Sequence, residues 1–187
     1  MMNTDRIIIN DAIRDLAEHS SEDALRTLYL AYYSKLKVFV EYYVMSETDV
    51  DEVISNTFLS VWMNRKDLPG IVNFDTYLFR IAKFKAVSNF RSELRSRKPF
   101  VQNVPATIER ASTDNTPETD IISSETIRRL DEAVESLPPK CKLVFQMVRY
   151  DKLKYKEVAE ILGISVKTVE NHITHAIARL RKTLTEE

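Results

Sequence analysis

Glycine is almost missing from this sequence: its 187 residues contain two, beside six prolines. Together these make about 4% of the chain, where roughly 12% is usual. All-β folds need glycine for their turns, and phosphate-cradling loops need it for close backbone approach. Two glycines supply neither, so the expectation moves to an all-α chain. Cysteine is rarer still. Cys141 alone forms no internal disulfide and no Cys-based metal site, and its apolar helical surroundings read as those of a passive core thiol. No run of 18 uncharged apolar residues occurs, so no membrane span is expected. Ile7-Ile8-Ile9, behind Asp5 and Arg6, is too short for the apolar part of a signal peptide, and a cytoplasmic protein is expected. An excess of one charge is lacking too. The 27 basic and 28 acidic side chains leave −1, which argues against coating nucleic acid by bulk charge but leaves local basic patches open.

What is there is 44% hydrophobic and 29% charged, ordinary for a globular chain, and divided by its few breakers. A short helix is expected over about 10–18, capped by Asn10. Ser20 or Ser21 then caps a helix to about Val44, with Leu25, Leu28, Tyr32, Leu36, Phe39 and Tyr43 at helical spacing. Thr48 is read as the cap of a helix over about 49–64, which stops before Pro69-Gly70. Asn73 caps a long helix from about Phe74 to Arg97, ended by Pro99. Residues 99–122 lack periodicity, hold Pro99, Pro105 and Pro117, and carry a net −3, which reads as a flexible acidic linker. About 24 structureless residues is long for one compact domain. The expected fold is therefore all-α, with small helical domains at 1–98 and 124–187 and the linker at 99–123. Helices near 124–136, 138–150, 155–162 and 166–184 complete the second domain.

The segment Tyr155–Ile173 reads as a helix-turn-helix. Val158, Ala159 and Leu162 give its first helix an apolar face, with Ala159 small where two helices approach. Gly163 suits the left-handed turn residue and Ser165 the next N-cap. At about 100° per residue, Val169, Ile173, Ala176, Ile177 and Leu180 share one arc of the second helix. Lys167, Asn171, Thr174, His175 and Ala178 lie opposite. Asn can bond adenine bidentately, Lys can reach guanine or phosphate, and Thr or Ala can meet a thymine methyl. His172 and Arg179 flank this face within reach of phosphates.

The first half carries the positive charge. Residues 77–98 have a net +6, from Arg80, Lys83, Lys85, Arg91, Arg95, Arg97 and Lys98 against Glu93. Leu78, Phe79, Ala82, Ala86 and Phe90 form an apolar arc, and the other side interleaves Tyr77, Arg80, Phe84, Ser88 and Arg91. Rings that stack bases beside cations that hold the backbone suit single-stranded nucleic acid. The plainer reading makes Tyr77 and Phe84 core and the cations solvated. Asp49, Asp51 and Glu52 suit a helix first turn, and without a nearby His they give no metal site. Phe58 and Trp62 read as core.

Four stretches together resemble the sigma-70 family of bacterial transcription initiation factors, in its extracytoplasmic-function (ECF) branch. They are Asp51-Glu-Val-Ile-Ser-Asn-Thr-Phe-Leu-Ser-Val-Trp62, Phe74-Asp-Thr-Tyr-Leu-Phe-Arg-Ile-Ala82, Leu137-Pro-Pro-Lys-Cys-Lys-Leu-Val-Phe145 and Tyr155 to Leu180. The resemblance implies a non-enzymatic factor without cofactor, metal or small-molecule substrate, whose partners are core RNA polymerase and promoter DNA. Asp51, Glu52, Ser55 and Phe58 would fall in the polymerase-binding stretch of region 2. Tyr77, Arg80, Lys83, Phe84, Ser88 and Arg91 would fall in its melting and −10 stretch. Lys167, Thr168, Asn171, His172, Thr174, His175 and Arg179 would fall on the −35 helix of region 4. The branch is commonly inhibited by an anti-sigma factor, often membrane-bound. The family often has Gln where this chain has Ser55, Asn where it has Phe84, and Ser or Thr where it has Lys154. A monomer is expected, since no sustained heptad pattern occurs. The alternative is a helix-turn-helix regulator acting without core polymerase. One of the response-regulator type needs an upstream α/β unit, for which residues 1–98 lack the alternating pattern. A DNA-cleaving enzyme would have only Ser88 or Tyr77 as nucleophile beside Arg80 and Arg91.

Overall fold

A computed structural model describes residues 2–96 and 129–185, with side chains over 6–88 and 129–183. The described residues are helical and contain no strand. α1 spans Met2–His19, α2 Glu22–Val40 and α3 Glu47–Met63; a 3-10 turn, Arg65–Gly70, leads to α4, Phe74–Ser96. Beyond the undescribed stretch come α5, described over 129–135, α6 at Pro139–Arg149, α7 at Tyr155–Leu162 and α8 at Val166–Thr185. The predicted linker and the side chains of Phe90 and Arg91 lie outside the described residues.

Local chemistry sets most boundaries. Ser20 takes a left-handed φ of 52°, which turns the chain between α1 and α2. Ser21 caps α2, its Oγ accepting the Ala24 N–H at 3.2 Å. Asn73 caps α4 as predicted, its Oδ1 accepting the Thr76 N–H at 2.9 Å. Three expectations shift. α1 begins at Met2, well before Asn10, because nothing interrupts the run to the buried Ala12, Ile13 and Leu16. α2 ends at Val40 rather than near Val44, since the backbone tightens and the Tyr43 N–H bonds the Val40 carbonyl at 2.8 Å. α3 starts at Glu47 behind Ser46, so Thr48 is not the cap. Lys37 Nζ bonds Glu47 at 2.9 Å and draws that start toward α2.

In the first half α2, α3 and α4 meet on Leu28, Leu36, Phe39, Ile54, Leu78 and Phe79, all buried. Phe39 and Phe79 sit edge to face, 5.0 Å between centroids. Burial of side chains this size contributes about 1.5–3 kcal/mol each. Buried Ala82 and Ala86 let α4 lie close to its neighbours. In the second half α6, α7 and α8 pack around Val144, Met147, Val158, Ile161, Val169 and Ile173. The halves touch where α7 lies on α4.

Candidate nucleic-acid interface

The helix-turn-helix is built by α7, its turn and α8. Gly163 ends α7 in the left-handed region at φ 66°, and the Ile164 N–H returns to the Ala159 carbonyl at 3.0 Å. Ser165 Oγ then accepts the Thr168 N–H at 3.0 Å and caps α8. Lys154 replaces a capping hydroxyl before α7, yet half of a capping box remains: its backbone N–H donates to Glu157 Oε2 at 2.7 Å. Val169, Ile173, Ala176 and Leu180 turn inward and are buried. Lys167, Asn171, Thr174, His175 and Arg179 are exposed together along the opposite side.

Not every residue of that set is equally available. Thr168 is half-buried, with its hydroxyl 2.8 Å from Ser165 Oγ. Thr174 donates its hydroxyl to the Glu170 carbonyl at 2.9 Å, and Lys167 pairs with Glu170 at 3.1 Å. His172 is half-buried, its Nδ1 3.2 Å from Cys141 Sγ on α6. Burial, then the charges of Lys140 and His175, hold its pKa below the ordinary 6.5. The shift favours the neutral ring and so weakens its pull on a phosphate. Cys141 is buried as predicted, but sequence reasoning missed its histidine partner, 31 residues away.

On α4, Arg80, Phe84 and Ser88 are exposed, and Tyr77 and Lys83 are half-buried on the same side. Phe84 is 70% exposed and so is not core; Tyr77 packs against the core with its ring 6.3 Å from Phe74. The two cations of that side, Arg80 and Lys83, already hold partners on α7. Arg80 pairs with Glu160 at 2.7 Å, and Lys83 Nζ donates to the Leu162 carbonyl at 2.9 Å. Burial pushes the Lys83 pKa below its usual value.

α3 divides the remaining predicted residues. Asp51, Glu52 and Ser55 are exposed, Asp51 accepting the Tyr33 hydroxyl at 2.7 Å. Phe58 is 4% exposed and packs at a tilt on Tyr29, 5.0 Å between ring centroids, so its ring offers no surface to a partner. Leu59 and Met63, 53% and 72% exposed, continue the Glu52–Ser55 side instead. Sequence reasoning missed both, although they fall outside the apolar arc of Val50, Ile54 and Val61. Among the described residues no three His, Cys, Asp or Glu side chains gather as metal ligands, and no helix is long and apolar enough to cross a membrane.

A capped recognition helix with a polar outer face, joined to a helix that mixes cations with an exposed ring, is the equipment of a DNA-reading protein. The family models agree and go further. Sigma-70 region 2 matches residues 28–96, and Sigma-70 region 4 matches residues 127–180. Among curated relatives, the ECF RNA polymerase sigma-E factor of Haemophilus influenzae is 24% identical, covering 90% of this chain and 92% of its own. The ferric citrate uptake sigma factor FecI of Escherichia coli K12 is 26% identical, with 87% and 92% covered. Two solved structures share the fold. CnrH in complex with the cytosolic domain of CnrY has a TM-score of 0.52 at 24% identity, over 96% of each chain. The sigma factor RpoE of Bartonella quintana, in complex with the anti-sigma factor NepR, has 0.57 at 17%, over 87% and 97%. The chain belongs to the sigma-70 family, as a sigma factor of the ECF type that directs transcription initiation. A regulator without a region 2 is not favoured, because the first half matches that region.

Proposed function

We propose a division of labour among three helices. The exposed side of α3, with Asp51, Glu52 and Ser55 extended by Leu59 and Met63, docks on core RNA polymerase. The outer side of α4 captures the melted strand at the −10 element, with Phe84 and Tyr77 stacking bases and Arg80 and Lys83 holding phosphates. Ser88, and Arg91 by its sequence position, extend that side. The outer face of α8 enters the major groove at the −35 element. There Asn171, Thr174 and His175 face base edges, and Lys167 and Arg179 face the backbone. The observation that carries the reading is α8 itself: a Ser165-capped helix with one buried stripe and, opposite it, an exposed face of Lys167, Asn171, Thr174 and His175 around Ala178.

The polymerase supplies the chemistry, so the factor works without cofactor, in the cytoplasm, as one copy per holoenzyme. Two fold relatives were solved with CnrY and NepR. An anti-sigma factor is proposed as this chain's inhibitor on that analogy. The test is a pull-down of the tagged chain with purified core polymerase, followed by run-off transcription on genomic fragments. Stoichiometric binding and discrete new transcripts are expected. Sequence-specific DNA binding without core binding would return the chain to the ordinary regulators.

A further inference from the structure

The single cysteine of the chain bears on the recognition helix. Cys141 lies in the first turn of α6 and is buried, with Sγ 3.2 Å from Nδ1 of His172 on α8. At about 100° per residue, His172 falls between buried Ala176 and exposed Arg179 on the wheel of α8. It stands in the seam between α6 and the face given to DNA.

Both partners are held toward their neutral forms. Burial raises the thiol pKa, against an opposing pull from Arg179. Burial, then the charges of Lys140 and His175, lowers that of the imidazole. A thiolate beside an imidazolium would shift both the other way. A neutral pair can bond in two ways: the thiol donates to Nδ1, or Nδ1–H donates to sulfur. Sulfur accepts weakly, while an unprotonated ring nitrogen is a full acceptor. The thiol has no other hydrogen-bond partner among the described residues. The thiol therefore donates, and the single ring proton sits on Nε2, the nitrogen turned away from Cys141. Among the described residues, only Thr76 Oγ1 and Gln146 Nε2 are sealed from solvent without a partner, so His172 Nε2 reaches solvent. Exposed cations attend it: Lys140 from α6, and Arg179 two turns along α8. A neutral N–H beside two cations suits a phosphate oxygen.

Resting on the −35 role given above to α8, we propose that Cys141 is a positioning residue: its thiol hydrogen keeps the His172 proton on Nε2, and that N–H donates to a phosphate beside the −35 element. The ring then serves DNA as an aimed hydrogen-bond donor, not as a charge. Lys140 and Arg179 supply the charge around it.

The tautomer is read first, in the free full-length chain. Proton–nitrogen correlation spectra of isotope-labelled histidine show which ring nitrogen is protonated, and His172→Gln identifies its signals among the three histidines. An Nε2-protonated ring is expected in the parent, and a mixture in Cys141→Ala. Cys141→Ser, whose hydroxyl can donate in the same place, should restore the parent pattern. Holoenzyme binding to a promoter fragment from the run-off experiment reads the consequence. Cys141→Ala should weaken it about three- to tenfold, the worth of one hydrogen bond, and Cys141→Ser should not. His172→Ala should weaken it while leaving the salt slope unchanged, since a neutral donor releases no counterion. A double-mutant cycle separates positioning from packing. In His172→Gln, whose amide donates with no tautomer to fix, Cys141→Ala should cost nothing further in binding, though it still lowers the melting temperature. A proton on Nδ1 in the parent overturns the proposal. So does an equal loss of binding from Cys141→Ala in both backgrounds, which leaves Cys141 a packing role, or a flatter salt slope in His172→Ala, which makes the ring a cation. Asn171→Ala is assayed beside them: unchanged binding there overturns the −35 role of α8 itself, independently of the tautomer spectra.

Discussion

Phe58 and Leu59 are adjacent in sequence and opposite in role. Phe58 points inward against Tyr29, and Leu59 points out beside Ser55. Phe58→Ala is expected to cost about 3–5 kcal/mol in a urea titration, as truncating a buried ring does. Leu59→Ser should change stability by no more than about 0.5 kcal/mol. It should weaken core polymerase capture about tenfold if Leu59 anchors the contact. A phenylalanine at helical spacing is legible as core, but the exposed leucine beside it is not legible as contact, because apolar composition alone does not say which face a partner covers. The sequence places His172 as a flanking phosphate contact; its burial against Cys141 has no local signal, since the partner arrives from another helix. Its folded pKa is depressed, so the unfolded chain binds the proton more readily. The stability His172 provides is complete above the unfolded value, falls as pH drops through it, and falls no further below the folded value. The loss of melting temperature between neutral pH and mild acid should therefore shrink in His172→Gln, measured against the parent by calorimetry. An equal loss in both proteins would remove His172 as a source.

At the scale of the element, α4, α7 and α8 were legible because their limits are set within a turn of chain. Asn73 accepts from three residues on, Ser165 does the same, and Gly163 supplies the positive φ. The starts of α1 and α3 were misread for the converse reason. Asn10 and Thr48 have capping chemistry, but packing of Ala12 and Ile13, and the Lys37–Glu47 pair, carried those helices past them. The turn gives a direct prediction. Gly163→Ala meets no clash, its nearest foreign atom lying 3.6 Å away, yet it forces an L-residue to φ 66°. That should cost about 1–2 kcal/mol by chemical denaturation. The recognition helix gives another. Asn171→Ala should weaken binding to a −35 duplex by about 1–3 kcal/mol and relax preference at one base pair. Lys167→Ala should weaken all sequences alike and reduce the salt slope by about 0.9. Footprints of holoenzyme on a library varied at the −35 element would tell the two apart. A uniform effect of Asn171→Ala would place it on the backbone.

At the scale of the whole molecule, composition and breakers made the all-helical character legible, and clustered charge marked α4 as the cationic helix of the first half. How the halves meet was not legible. Arg80 and Glu160 are 80 positions apart, and each looks like an ordinary solvated charge in its own helix. The pair also changes what a net charge of −1 means. Two cations of α4 are engaged within the chain by its second half, Arg80 by the Glu160 carboxylate and Lys83 by the Leu162 carbonyl, so the free factor meets DNA with fewer unpaired cations than its sequence suggests. This can be read from ionic strength. Each cation engaged on single-stranded DNA contributes about 0.7 to the slope of log affinity against log salt. If Arg80 and Lys83 are held by α7 in the parent and free in the Glu157→Gln, Glu160→Gln variant, the variant should show a slope steeper by about 1.4. Added salt also loosens the exposed Arg80–Glu160 pair, which opposes the loss of DNA contacts in the parent alone and flattens its curve further. The two curves should therefore converge as potassium chloride is raised, with the variant's advantage largest in dilute salt. Parallel curves would mean that α7 takes no cation from DNA, and the negative side of α7 would then serve only the folding of the factor.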